Sequence, residues 1–283
     1  MTQSDIHQFR QSTGPAPQRL RDPEITPLEV GDLCVDGADI RDRISDWGLA
    51  EALRRALQLL HEGSGATSSN GALTPAVAGF DAVYLTGGRA VEDDLRDRLN
   101  NPRWNTCFAL GGVFASVNGG LVLLKTLGLS GWVLDLGQTQ LKLAGAKHVW
   151  TFPRDSKRLG GRNNAVQSGI QRRRLREFLA LKLQIALAET GCRPSGIIFA
   201  LPARVEDDGT PGTGDYAGLL GYRDLVSDVL ATAGLTDARA FVVNDAELAA
   251  FCAREDPRLT EFRKILVLTL GFGIGAALVC RDA

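Results

Sequence analysis

Short apolar runs alternate with longer amphipathic stripes along most of this chain, and the two periods predict different elements. Strands are predicted at "PLEVGDLCVDG" (27–37), "FDAVYLTGG" (80–88), "SGIIFALPAR" (195–204) and "RAFVVND" (239–245). "GWVLDLG" (131–137), "QLKLAGA" (140–146) and "HVWTFPR" (148–154) are spaced as a meander of hairpins, and "KILVLTLGFGIGAALVC" (264–280) reads as two strands around a glycine turn. Helices are predicted over 44–63, with Ser45 or Asp46 as N-cap and Gly63 as stop, and over 90–100, where acids in the first turn suit the helix dipole. The glycine-rich stretch 108–128 reads as a closely packed helix, and 166–191, 222–235 and 246–255 as further helices. Hairpins alternating with helices make an α/β fold. Residues 1–22 are polar and read as a mobile tail.

Composition narrows the function. The 283 residues are 44% hydrophobic and 23% charged, enough for a sizeable core. A net charge of -1 and a pI near 6.3 favour neither nucleic acid nor an anionic membrane. No apolar run approaches the roughly 20 residues of a membrane helix. Five cysteines without a CxxC pair read as reduced thiols in a cytoplasmic protein, and three dispersed histidines make a structural zinc site a poor fit. The basic run "QRRRLREF" (171–178) reads as the solvated face of a helix, whereas the basic loop 154–164 either closes over a charged substrate or is plain surface.

Three glycine-bearing turns follow apolar strands: Gly137, Gly87–Gly88, and Gly271–Gly273–Gly275. Glycine lets a backbone approach a phosphate closely. Asp135 and Asp245 each lie at or near the end of an apolar strand, which is the mouth of a sheet where open α/β folds bind ligands. Asp245 could equally be the N-cap of 246–255, and Asp135 a turn-forming acid.

The order of these segments resembles the sugar kinase, heat-shock chaperone and actin (ASKHA) superfamily. "LDLGQTQLKL" is similar to its first phosphate hairpin, "LTLGFGIGAALV" to its second, and "VYLTGG" to its adenosine motif. "VNDAELAAF" resembles the connecting segment with the catalytic Asp, and "FASVNGGLVLL" the second connecting helix. The nearest likeness is to ROK-type bacterial sugar kinases, whose substrate loop is echoed by "ALPARV" and whose Gly-Glu-x-Gly-His motif by "LEVGDL". The motifs stand in a cyclically shifted order, with the adenosine motif and second helix first. The resemblance therefore implies a two-lobed ribonuclease H-like (actin-like ATPase) fold, circularly permuted. Its parts would be a tail at 1–23, a discontinuous lobe of 24–105 plus 260–283, and a lobe of 106–259.

The resemblance also implies the chemistry. Asp245 would be the general base of an ATP-dependent phosphotransferase acting on a hydroxyl of a sugar or similar small molecule, with Asn244 and Glu29 binding that substrate. Asp135 would hold Mg²⁺ through water. Gly137, Gln138, Thr139, Gly271, Gly273 and Gly275 would meet the phosphates of ATP, and Gly87 and Gly88 the adenosine. A small-molecule partner follows, with no nucleic acid and no membrane, and a homodimer is allowed. Departures from the family pattern are Asp32 at the motif histidine, Phe272 in the second hairpin, and a missing cysteine cluster. They support a second reading: a nucleotide- or ligand-binding member that senses without turnover.

Overall fold

The computed structural model describes residues 16–28, 34–35, 38–62, 79–90, 95–99, 107–154, 165–212, 218–219, 221–271 and 274–281. Its strands are β1 (Gln18–Arg19), β2 (Ile25–Leu28), β3 (Cys34–Val35), β4 (Ala38–Asp39), β5 (Ala82–Thr86), β6 (Cys107–Gly112), β7 (Gly131–Leu136), β8 (Gln140–Ala144), β9 (Val149–Pro153), β10 (Gly196–Leu201), β11 (Arg239–Asn244), β12 (Lys264–Leu270) and β13 (Ile274–Cys280). Its helices are α1 (Ile40–Trp47), α2 (Leu49–Glu62), α3 (Leu95–Leu99), α4 (Ala115–Thr126), α5 (Ala165–Thr190), α6 (Leu225–Ala233) and α7 (Asp245–Arg254).

Two mixed sheets make this an α/β protein, and they share one plan. In the first, with order β1-β11-β10-β7-β8-β9, the antiparallel hairpin β7–β8 is flanked by antiparallel β9 on one side and by parallel β10 and β11 on the other. In the second, with order β2-β13-β12-β5-β6, the hairpin β12–β13 is flanked by antiparallel β2 and by parallel β5 and β6. The first sheet takes its five main strands, β7 to β11, from one continuous stretch of chain. The second takes its hairpin from the end of the described chain and its other three strands from the beginning. The joint is close: Val279 pairs with Ile25, and the Cys280 N–H donates to the Glu24 carbonyl at 2.7 Å.

Strand alternation assigns each face. Trp132, Leu134 and Leu136 of β7 pack outward against α5 and α6, through Leu179, Leu183 and Val229. Leu266, Leu268 and Leu270 of β12 pack outward against α2. The inward residues, Val133 and Ile198 of one sheet and Tyr84 and Ile265 of the other, share one core with α4 and α7 between the sheets. Period two thus puts Asp135 on the same inward face as Val133. The two helices cross closely because α4 has glycines there: a Cβ at Gly119 would run into the Leu248 carbonyl, and one at Gly120 would meet Val133 Cγ1 at 2.5 Å.

Three expectations are corrected. The helix expected over 108–128 begins only at Ala115, because Cys107–Gly112 is a strand beside β5. Gly111 lets that strand lie against the Tyr84 ring, and Gly112, with φ of 71°, ends it in a conformation a helix cannot use. The helix expected over 44–63 starts earlier and is split at Gly48, whose φ is 82°. The tail expected up to residue 23 is shorter: Gln18 and Arg19 pair with Phe241 and Val242, and Arg19 is buried against Glu247. No helix among the described residues is long and apolar enough to cross a membrane.

Candidate functional site

The first hairpin turns in two residues, Gln138 and Thr139. Gly137 N–H donates to the Gln140 carbonyl at 2.9 Å, and the main chain comes so close that a Cβ on Gly137 would stand 2.9 Å from that oxygen. Arg154 clasps the turn from β9's end, through its N–H to the Thr139 carbonyl (2.7 Å) and its guanidinium to the Gly137 carbonyl. Thr139 is exposed.

This tight turn pairs Asp135 with Lys142 across the two strands. Lys142 Nζ donates to Asp135 Oδ2 at 3.1 Å, with both side chains largely buried, and the same ammonium lies 6.0 Å from the centre of the Phe114 ring. Sequence reasoning missed Lys142, although the signal was present: a two-residue turn at 138–139 forces 136 opposite 141 and 135 opposite 142.

Asp245 follows the end of β11, which β10 separates from β7. Asn244 caps α7: its Oδ1 accepts from the Ala246 N–H at 2.9 Å, and the Glu247 carboxylate accepts from the Asn244 N–H at 3.2 Å, which closes a capping box. Asp245 is therefore the first helical residue and not the cap. Its half-buried carboxyl is pushed up to about 7, first by loss of solvent and then by the negative charge of Asp135. The Ala246 N–H and the Lys142 charge work in the opposite direction. Asn244 itself is committed to the scaffold, since Nδ2 donates to the Ala203 carbonyl at 3.0 Å. Its expected contact with substrate is left to the remaining lone pair on Oδ1.

The second hairpin meets this group. A Cβ at Gly275 would stand 3.3 Å from Asp245 Oδ1 and would collide with Thr269 Oγ1. At the end of β12, the Leu270 carbonyl accepts from the Arg89 N–H at 2.9 Å, and a Cβ at Gly87, which follows β5 with a φ of 99°, would collide with that carbonyl. Gly88 faces open space, and Gly271 follows directly on Leu270. Asp135, Lys142, Asp245, Gly275, Leu270 and Gly87 thus form one chain of neighbours across the two sheets. Glu29, Phe272, Gly273, Asp32 and residues 155–164 of the basic loop lie outside the described residues.

Mg²⁺ keeps most of its water and asks a protein for one or two carboxylate oxygens. Asp135 meets that demand with Oδ1, since Lys142 is bonded to Oδ2. Among the described residues no group of three or more His, Cys, Asp or Glu side chains gathers to hold a metal by itself, so an ion here would be brought largely by a phosphate ligand. No protein-family model matches the chain, and no curated protein matches it.

Proposed function

We propose that the protein is an ATP-dependent phosphotransferase acting on a hydroxyl of a sugar or similar small molecule, built on a circularly permuted, two-lobed ribonuclease H-like fold. The observation that carries the reading is the convergence of a carboxyl held near pKa 7, Asp245, with Gly275 of one hairpin and with the Asp135–Lys142 pair of the other. The shared plan of the two sheets, with the second sheet's strands drawn from both parts of the chain, supports the permutation.

In this reading Asp245 accepts the proton of the acceptor hydroxyl, and a pKa near the working pH suits a base that must be ionised yet basic. The Lys142 ammonium offsets phosphate charge, and the Gly137, Gln138 and Thr139 turn and the Gly271–Gly275 hairpin bring main chain close to the phosphates. Gly88 leaves room for the adenosine, and Gly87 lets that turn pack on the Leu270 main chain. Asp135 would hold Mg²⁺, which would supply further neutralisation of the phosphates. A second reading, a nucleotide- or ligand-binding sensor, is favoured by the commitment of the Asn244 amide to the scaffold. The test is ADP release, with Mg²⁺ and ATP, over a panel of sugars, amino sugars and polyols. Release with at least one acceptor upholds the phosphotransferase. Saturable ATP binding with no release selects the sensor, and no ATP binding at millimolar nucleotide removes both.

A further inference from the structure

Residues 16–28 run from one sheet to the other. β1 lies along β11 at the edge of the first sheet, β2 along β13 at the edge of the second, and only residues 20–24 separate them. Four ion pairs among the described residues fasten this strap: Arg19 to Glu247, Arg21 to Asp207, and both Asp22 and Glu24 to Arg254, at 2.7 and 3.5 Å. The Arg21 pair is exposed, and water and salt screen it. The Arg19 pair differs in kind. Its side chains are 6% and 5% exposed, and Nη2 stands 2.5 and 2.6 Å from the two oxygens of Glu247.

Glu247 is the residue that closes the capping box on Asn244, and Asp245 lies between the two. The strap therefore grips, through one carboxylate, the turn of helix that carries the proposed base. A pair of neutral residues packs a buried site as well as an ion pair does, and often better. What Arg19 adds is direction: Nη2 meets both Glu247 oxygens while Nη1 donates to the Leu20 carbonyl at 3.0 Å, which fixes where the Glu247 oxygens stand and hence where the first turn of α7 stands. A shift of about 1 Å in a catalytic group costs on the order of 10²-fold in rate.

We propose that Arg19 is a positioning residue for Asp245, acting through Glu247, so that the N-terminal strap sets the activity of the site. The inference rests on the phosphotransferase reading. The experiment compares the full chain with Arg19→Met, Arg19→Lys and the double variant Arg19→Met/Glu247→Gln. The double variant removes both charges but keeps a residue able to close the capping box, so it folds even if Arg19→Met alone does not. Turnover, KM for ATP, melting temperature and amide exchange at Ala246 and Glu247 are measured for each. The expected result is kcat lower by roughly 10- to 100-fold in the double variant, with KM for ATP within twofold, faster exchange at both amides, and partial recovery in Arg19→Lys. Wild-type kcat in a folded double variant overturns the proposal. If the wild-type chain turns over no acceptor, the phosphotransferase reading falls and exchange decides the strap: faster exchange upholds its grip on α7, and unchanged exchange ends it.

Discussion

Asp245 holds a proton through a range of pH in which an exposed aspartate has lost its own. Its carboxyl is raised from the ordinary 3.8 to about 7, chiefly by burial. Between those values the unfolded chain has released the proton and the folded chain keeps it. Stability from this group is therefore complete below about pH 4 and is lost as pH rises through 7. Asp245→Asn removes that loss and leaves the Asn244 cap in place. The variant should melt several degrees above wild type at pH 8, with the difference shrinking toward zero near pH 4, as followed by calorimetry across that range. In the same variant turnover should fall by roughly 10²- to 10⁴-fold while ATP affinity holds, because a positioned base is gone and the phosphate contacts are not. Lys142 invites the opposite test. Lys142→Met leaves Asp135 buried without its partner, a loss of about 3–5 kcal/mol, and takes a cation from the phosphates. ATP binding should weaken at least tenfold. Asp135→Asn/Lys142→Met should regain much of the lost melting temperature but not the affinity, and equal melting of single and double variants would sink the pairing argument.

At the scale of elements, the α4–α7 crossing decides how the two sheets meet. Gly119 has no room for even a methyl group against the Leu248 carbonyl. Gly119→Val should therefore force the helices apart and cost about 1–3 kcal/mol or more. The check is a denaturant titration, with an unchanged midpoint counting against the crossing. The elements legible beforehand were those with a clear period: the hairpin around Asp135, the strand ending at Asn244 and the long helix α5. Those that were not legible owe their state to distant partners. Residues 107–112 carry two glycines and read as helix locally, but become a strand because Tyr84 and β5 lie alongside. β1 is two polar residues with no pattern at all, and only the edge of β11 makes it a strand. Lys142 alternates as an ordinary outward residue would, and its partner appears only when the hairpin register is written out.

For the molecule as a whole, the common plan of the two sheets says that the chain could be cut elsewhere. Arg281 lies one residue past β13 and Glu24 one residue before β2, and Cys280 already bonds Glu24. A chain closed between these residues by a few Gly/Ser residues and opened at Gly128–Ser130 should fold in one cooperative transition with ATP affinity near wild type. It loses residues 1–23 with Arg19 and keeps Glu247, so its turnover should match that of the Arg19→Met variant. Failure to fold, shown by a featureless near-ultraviolet circular dichroism spectrum, would contradict the shared plan. The cyclically shifted motif order in the sequence is the ground on which the permutation is proposed. The strap did not show there, since what it spans is a gap between sheets and not a segment of sequence.

The joint between Cys280 and Glu24 also sets a timetable. On the ribosome, residues 131–254 supply β7 to β11 of the sheet around Asp135 and the helix behind it, and β1 has already been made, so this half can close on itself as it emerges. β2, β5 and β6 are made earlier yet have no β12 or β13 to lie against. They wait, with the apolar run Ala82–Thr86 uncovered, until nearly 280 residues of chain have been laid down. Slow translation through 131–254 would lengthen that exposure, and holding chaperones should crosslink to nascent chains at β5 and β6 far more than at β7 or β10.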